Sequence, residues 1–229
     1  MKILLIETAT NICSVALADD GVILHHRETD TPNAHSSHLA PFIDAILKHC
    51  NLQTSDIDAV AVSSGPGSYT GLRIGVSTAK GLCYALNKPL IAVPTLVSMA
   101  QLYYRLNPGY RGLVCPMIDA RRMECYTAIF SPEGLLRDTQ ADVIVDGIYN
   151  QWLDNSVVTF IGDGAGKTQD ILGRHSNARY DDFFRISAEG MVSIASEKLA
   201  AHQTEDVAYF EPYYLKDFVA KKSVVHGLR

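Results

Sequence analysis

Apolar runs of six or seven residues alternate along this chain with amphipathic stretches of helical period. Residues 2–8 (Lys-Ile-Leu-Leu-Ile-Glu-Thr) and 12–18 (Ile-Cys-Ser-Val-Ala-Leu-Ala) suit buried strands, and 22–28 follows a hairpin signal at Asp19-Asp20-Gly21. The pattern predicts a three-strand antiparallel meander. From His35, the apolar residues Leu39, Phe42, Ile43, Ile46, Leu47 and Cys50 recur at i, i+3, i+4, i+7, i+8 and i+11, one stripe of an amphipathic helix over 35–50. A strand over 57–63 breaks at a glycine-rich turn and runs into a helix that ends near residue 86. A short strand (89–93) and a helix opening at Pro94 complete this half.

The stretch 60–86 organises the rest. In Gly65-Pro66-Gly67-Ser68-Tyr69-Thr70-Gly71 the glycines allow backbone angles closed to other residues, Pro66 stiffens the bend, and Ser68 or Thr70 can cap the helix. Free N–H groups at a helix start attract anions. Within the helix, Gly71, Gly75, Ala79 and Cys83 recur every fourth residue and leave one face almost bare, suited to another backbone. Glycine costs about 1 kcal/mol against alanine in a helix, so Gly71, Gly75 and Gly81 point to packing that outweighs propensity. Tight internal packing is the reading favoured over phosphate binding.

Asn107-Pro108-Gly109-Tyr110 is the clearest break, and a second β-rich unit starts behind it with strands at 112–118 and 124–130 and a third after Ser131-Pro132-Glu133-Gly134. Residues 119–124 link the first two strands and carry Arg121 and Arg122, a solvated hairpin by default and a candidate phosphate or acidic-partner contact. A helix over 147–153, a strand over 157–162, a glycine turn, a helix over 188–201 and a docked tail at 212–222 are predicted. Gly162-Asp-Gly-Ala-Gly-Lys-Thr168 invites comparison with a P-loop, but the required first glycine falls on Ile161. The chain divides into lobes 1–106 and 107–229, with the last helix returning toward the first lobe.

Composition bounds the chemistry. At 229 residues and 47% apolar content the chain can bury a sizeable core, and no apolar run approaches membrane-spanning length. Glu7 comes too early for a signal-peptide core. Net charge −5 leaves no basic surplus to bind nucleic acid unaided, so any RNA role is shared with a partner. Five cysteines without a C-x-x-C pair read as reduced thiols of a cytoplasmic protein. His35 and His38 lack a third ligand and read as solvated rather than metal-binding. Glu7-Thr8-Ala9-Thr10 sits at the first hairpin, an ordinary polar turn by default. The candidate nucleotide or phosphate contacts are Thr8, Thr10, Gly65, Gly67, Ser68, Gly162 and Gly164.

Two units that each open with antiparallel strands suggest duplicated α/β layers of ribonuclease-H or actin type. Ile6-Glu-Thr-Ala-Thr10, the stretch from Ser64 through Gly71 to Leu82, and Pro212-Tyr-Tyr-Leu-Lys216 resemble the bacterial TsaB (YeaZ) family nearly end to end. The resemblance implies an actin-like two-lobed fold of the ASKHA superfamily. It also implies a role in placing threonylcarbamoyl on adenosine 37 of tRNAs reading codons that begin with A. In the paralogue TsaD, which performs the transfer, a His-x-Glu-Gly-His metal motif falls on the helix where this chain has Thr95 and Met99, neither an imidazole. A scaffold for TsaD is therefore implied, working with a TsaE-type ATPase and reaching tRNA through the complex. It would have no cofactor of its own, and ATP, ADP or threonylcarbamoyl adenylate would be shared at an interface. Family members pair through helices corresponding to 35–50 and 70–86, as homodimers or with TsaD. Leu39, Phe42, Leu72, Arg73, Val76, Ala79, Lys80 and Cys83 are the expected interface. The alternative is a lone actin-type phosphotransferase, for which Glu7 is the one acid in the first loop, or a peptidase, for which no catalytic set is evident.

Overall fold

The computed structural model describes residues 1–216. Strand β1 (Lys2–Glu7) lies at the centre of a five-stranded sheet, antiparallel to β2 (Cys13–Asp19) and parallel to β4 (Ala59–Gly65). The edges are β3 (Val22–Thr29) and β5 (Leu90–Pro94), giving the order β3-β2-β1-β4-β5. Asp20 and Gly21 both hold positive φ (46° and 79°), the geometry a two-residue hairpin demands. The second sheet repeats the plan. Strands β6 (Leu113–Asp119), β7 (Glu124–Ser131) and β8 (Gly134–Val143) form the meander, and β9 (Val158–Ile161) and β10 (Ala178–Asp181) add in parallel, in the order β10-β9-β6-β7-β8. The duplication expected from the two meanders is thus present strand for strand.

The alternation of side chains along a strand decides which layer covers which face. Leu4, Ile6, Val60 and Val62 point to α1 (Ala34–His49) and α2 (Tyr69–Leu86). Ile3, Leu5, Ala61 and Ile91 point the other way, to Met191, Val192 and Ala195. Those last residues belong to a 3-10 turn, Ala188–Met191, and to α6 (Val192–Ala200), so the chain returns to the first lobe after building the second. The turn replaces the first part of the helix predicted from residue 188 because Gly190 is pressed on α3 (Thr95–Leu106), where a Cβ would lie 2.5 Å from the Ser98 carbonyl oxygen. In the second lobe the helix predicted over 147–153 shrinks to α4 (Asn150–Leu153), and one turn, α5 (Gln169–Leu172), follows the 162–168 loop. Among the described residues no helix is long and apolar enough to cross a membrane.

The bare face of α2 is where helix and sheet touch most closely. A Cβ on Gly71 would lie 2.1 Å from the Thr8 carbonyl oxygen, and one on Gly75 would lie 2.2 Å from the Thr8 hydroxyl. Gly81 departs from the expectation, since nothing lies within 4 Å of a Cβ there. Lys80, expected at a partner interface, instead donates to the carbonyls of Ala208 (3.1 Å) and Phe210 (2.9 Å) and pins the returning chain to α2.

These contacts separate glycine from glycine. Gly71→Ala forces a backbone carbonyl aside and should destabilise the protein by about 1–3 kcal/mol in denaturant titration. Gly81→Ala gains helix propensity without a clash and should stabilise it by roughly 0.5–1 kcal/mol. Equal effects at the two sites would contradict this packing.

Candidate functional site: the cleft between the lobes

The first wall of the cleft is set by how β1 ends. Glu7 is fully buried, and its Oε1 accepts from the Ala9 amide (2.6 Å) and from the Ser63 hydroxyl (2.9 Å) of β4. The turn this makes aims the Ala9 carbonyl at the α2 start, where it accepts from the Ser68 amide at 2.6 Å. Ser68 caps the helix, its Oγ accepting from the Gly71 amide at 3.2 Å. Two of the donors that would draw an anion are therefore occupied by protein oxygens. Thr10 closes its own turn by accepting from the Ile12 amide at 3.2 Å.

The second wall is the β6–β7 hairpin, whose Arg121 and Arg122 both adopt positive φ (68° and 48°). Asp119 pairs with Lys167 and accepts from the Arg121 amide at 2.8 Å. Lys167 also donates to the Glu124 carbonyl at 2.7 Å. The lysine of the Gly-Lys-Thr sequence is thus a strut between loop and hairpin, in keeping with its failed P-loop spacing. Between the walls lies a cleft of about 850 Å³.

Of the expected phosphate contacts, Thr10, Gly67 and Ser68 line this cleft. The other four do not, and the reason is steric in each case. Thr8 is buried beneath Gly75. Gly65 (φ 107°) is covered by the Tyr213 carbonyl, 2.5 Å from where a Cβ would be. Gly162 (φ 98°) is wedged on the Met117 carbonyl and the Met99 methyl, each 2.5 Å from such a Cβ, and Gly164 abuts Ile118 and Asp119.

The interface candidates divide in the same way. Leu39, Leu72, Val76, Ala79 and Cys83 are buried within the first lobe, so they are core rather than apolar surface left for a partner. Phe42 is half-buried against that core, and Arg73 is exposed. Sequence periodicity identified the apolar stripe, and the sheet beneath it consumed the stripe. His35, expected in solvent, is half-buried on the Ile12 carbonyl (Nε2 to O, 3.2 Å), and burial lowers its pKa. Sequence reasoning gave no cleft role to Tyr213–Lys216, which line the mouth. A paired tyrosine in an aperiodic tail was the available signal.

Burial raises the Glu7 carboxyl from 4.5 to about 7, against the opposing pull of its hydrogen bonds from Ala9 and Ser63. Its Oε2 has no partner among the described residues. A carboxyl that resists ionisation in the folded state contributes stability that is fully present below its unfolded pKa and lost as pH rises through about 7. Glu7→Gln keeps an acceptor for Ala9 and Ser63 without the charge. It should exceed wild type in unfolding free energy at pH 8 by on the order of 3 kcal/mol and lose that advantage by pH 5. A difference independent of pH would contradict an ionisable, sealed Glu7.

Comparison with known proteins places this geometry. A family model described as "TsaD: tRNA N6-adenosine threonylcarbamoyltransferase" matches residues 28–224. The chain is 36% identical to the tRNA threonylcarbamoyladenosine biosynthesis protein TsaB of Escherichia coli (strain K12), over 98% of each chain. It is 31% identical to the protein of that name from Bacillus subtilis (strain 168), over 76% of this chain and 77% of the relative. The solved structure of YeaZ from Pseudomonas aeruginosa superposes with a TM-score of 0.81 at 28% identity, covering 93% of this chain and 99% of that one. Duplicated actin-like lobes, a glycine-faced α2 and near end-to-end identity agree: the chain belongs to the TsaB (YeaZ) family.

Proposed function

We propose that this protein is a non-catalytic scaffold and activator subunit in tRNA threonylcarbamoyladenosine biosynthesis, binding a TsaD-type paralogue and working with a TsaE-type ATPase. The observation that carries the reading is Glu7. The acid at the head of the first phosphate loop is sealed from the cleft and cannot meet a substrate there. Of the four acids that line the cleft among the described residues, Asp119 and Glu124 pair with Lys167 and Lys216, Asp163 accepts from the Asp119 amide at 3.1 Å, and Asp30 is exposed at the rim. Thr95 and Met99, at the positions of the paralogue's metal histidines, serve the core: Thr95 Oγ1 accepts from the Gly65 amide at 3.1 Å, and Met99 is fully buried against Gly162. A net charge of −5 favours reaching tRNA through the partner.

The partner surface in this reading is the outer face of α1 and α2, which lie side by side over one face of the first sheet. Its contact residues are Phe42 and Arg73 together with Ser77 and Tyr84. Tyr84 is 85% exposed, and tyrosine is among the residues that most often anchor interfaces. Alone, the protein would use the same face to form a homodimer in the cytoplasm. Nucleotide or threonylcarbamoyl adenylate would be held where the subunits meet.

The test is light scattering of the purified chain mixed with its organism's TsaD-type protein. A complex at the summed mass is expected. It should weaken at least tenfold with Ser77→Arg or Tyr84→Ala while the unfolding midpoint of the free subunit stays unchanged. Val76→Asp is unsuitable, because Val76 is core. Absence of a complex, even with the TsaE-type protein and ATP, would refute the scaffold reading.

A further inference from the structure

The segment after α6 does more than return to the first lobe. At Tyr213 its amide donates to the Ser64 carbonyl at 2.7 Å, and its carbonyl covers Gly65 at the end of β4. One residue on, the Tyr214 ring lies 4.9 Å from that of Tyr69 in the first turn of α2. The Arg73 guanidinium is 4.9 Å from the centroid of the same Tyr69 ring. Lys216 then pairs with Glu124 at the start of β7, in the second lobe. Within six residues the chain is anchored on one lobe and reaches the other, and Tyr213–Lys216 form part of the cleft lining.

We propose that residues 211–216 are a strap across the mouth of the inter-lobe cleft, latched by Lys216–Glu124 and displaced when a ligand enters. This goes beyond the scaffold reading and holds whether or not that reading does.

The two ends of the strap are unequal. On the first lobe it has a backbone hydrogen bond and an aromatic contact. On the second, among the described residues, it has one ion pair whose side chains are 37% and 32% exposed, a class of contact that holds weakly in water and is screened by salt. Arg121 and Arg122 stand on the same hairpin as Glu124 and line the same cleft as Lys216, so positive charge gathers on this wall. The closed strap also leaves the Tyr214 hydroxyl buried with no partner among the described residues, a cost that water relieves on opening. Away from the mouth, Leu96, Met99 and Tyr103 of α3 share one buried cluster with Val114, Ile118 and Phe130 of the second sheet, so the lobes stay joined while the mouth opens. A ligand that enters through the open mouth binds with an apparent affinity reduced by the closed fraction.

Amide hydrogen exchange on the full chain tests the strap. Lys216→Glu and Glu124→Lys should each speed exchange at residues 213–216 and at the α2 start by about fivefold or more, and the double charge swap should restore protection. In wild type, raising salt from about 0.05 M to 1 M should have the same direction of effect, because the screening length falls to roughly 3 Å. Exchange in β1 should not change in any of these, which separates unlatching from misfolding. Single variants that exchange like wild type, a double swap no better than the singles, or salt-independent protection of the strap would overturn the proposal.

Discussion

The first lobe depends on the approach of α2 to the end of β1. Thr8 fills the space that side chains at Gly71 and Gly75 would take, and the Ala9 carbonyl binds the Ser68 amide at the head of the same helix. With α2 held there, β4 and α2 meet at a turn too tight for any residue but glycine at position 65, and the β1–β2 loop has one place to lie. The cost in helix propensity is about 1 kcal/mol per glycine. A well-fitted backbone contact between strand and helix offsets it.

That contact also decides what the helix pair can present outward. Because α2 lies so close to the sheet, Leu72, Val76, Ala79 and Cys83 are used up in the core, and α1 gives Leu39, Ile43, Ile46 and Leu47 to the same cluster. What remains on the surface is polar and aromatic, with Arg73, Ser77 and Tyr84 facing out. Such a face suits a partner that comes and goes better than a permanent apolar interface.

Glu7 belongs to the same arrangement. In a sheet covered on both faces, the last residue of β1 is sealed as soon as its neighbours pack, so its carboxyl becomes a fastening for the Ala9 amide and the Ser63 hydroxyl rather than a reagent. The second lobe reproduces the strand order but fills its equivalent loop with Lys167 and Asp119. On each wall of the cleft between them, groups are bonded within the protein: Ala9 to the Ser68 amide on one, Asp119 to Lys167 on the other. Its mouth is bounded by Tyr213–Lys216, which hold the first lobe through a backbone hydrogen bond and an aromatic contact and, among the described residues, the second lobe through the Lys216–Glu124 pair.

By itself, the sequence determined the two meanders, the helices 35–50 and 70–86, and the family, because hydrophobic period, turn chemistry and the glycine-rich stretch are local signals. It also indicated that Gly71 meets a backbone, whereas Gly75 meets the Thr8 side chain. Tertiary structure alone decided which face of each helix is core. A stripe of Leu39, Leu72 and Val76 reads the same whether a sheet or a partner covers it. It likewise decided that Gly81 meets nothing, that Lys80 serves the chain's own carbonyls, and that Gly162 and Gly164 are packing positions. The cleft residues Tyr213–Lys216 were illegible for a related reason. They reach the site through contacts with Ser64, Tyr69 and Glu124, between 90 and 150 residues distant, and such pairings leave no periodic trace along the chain.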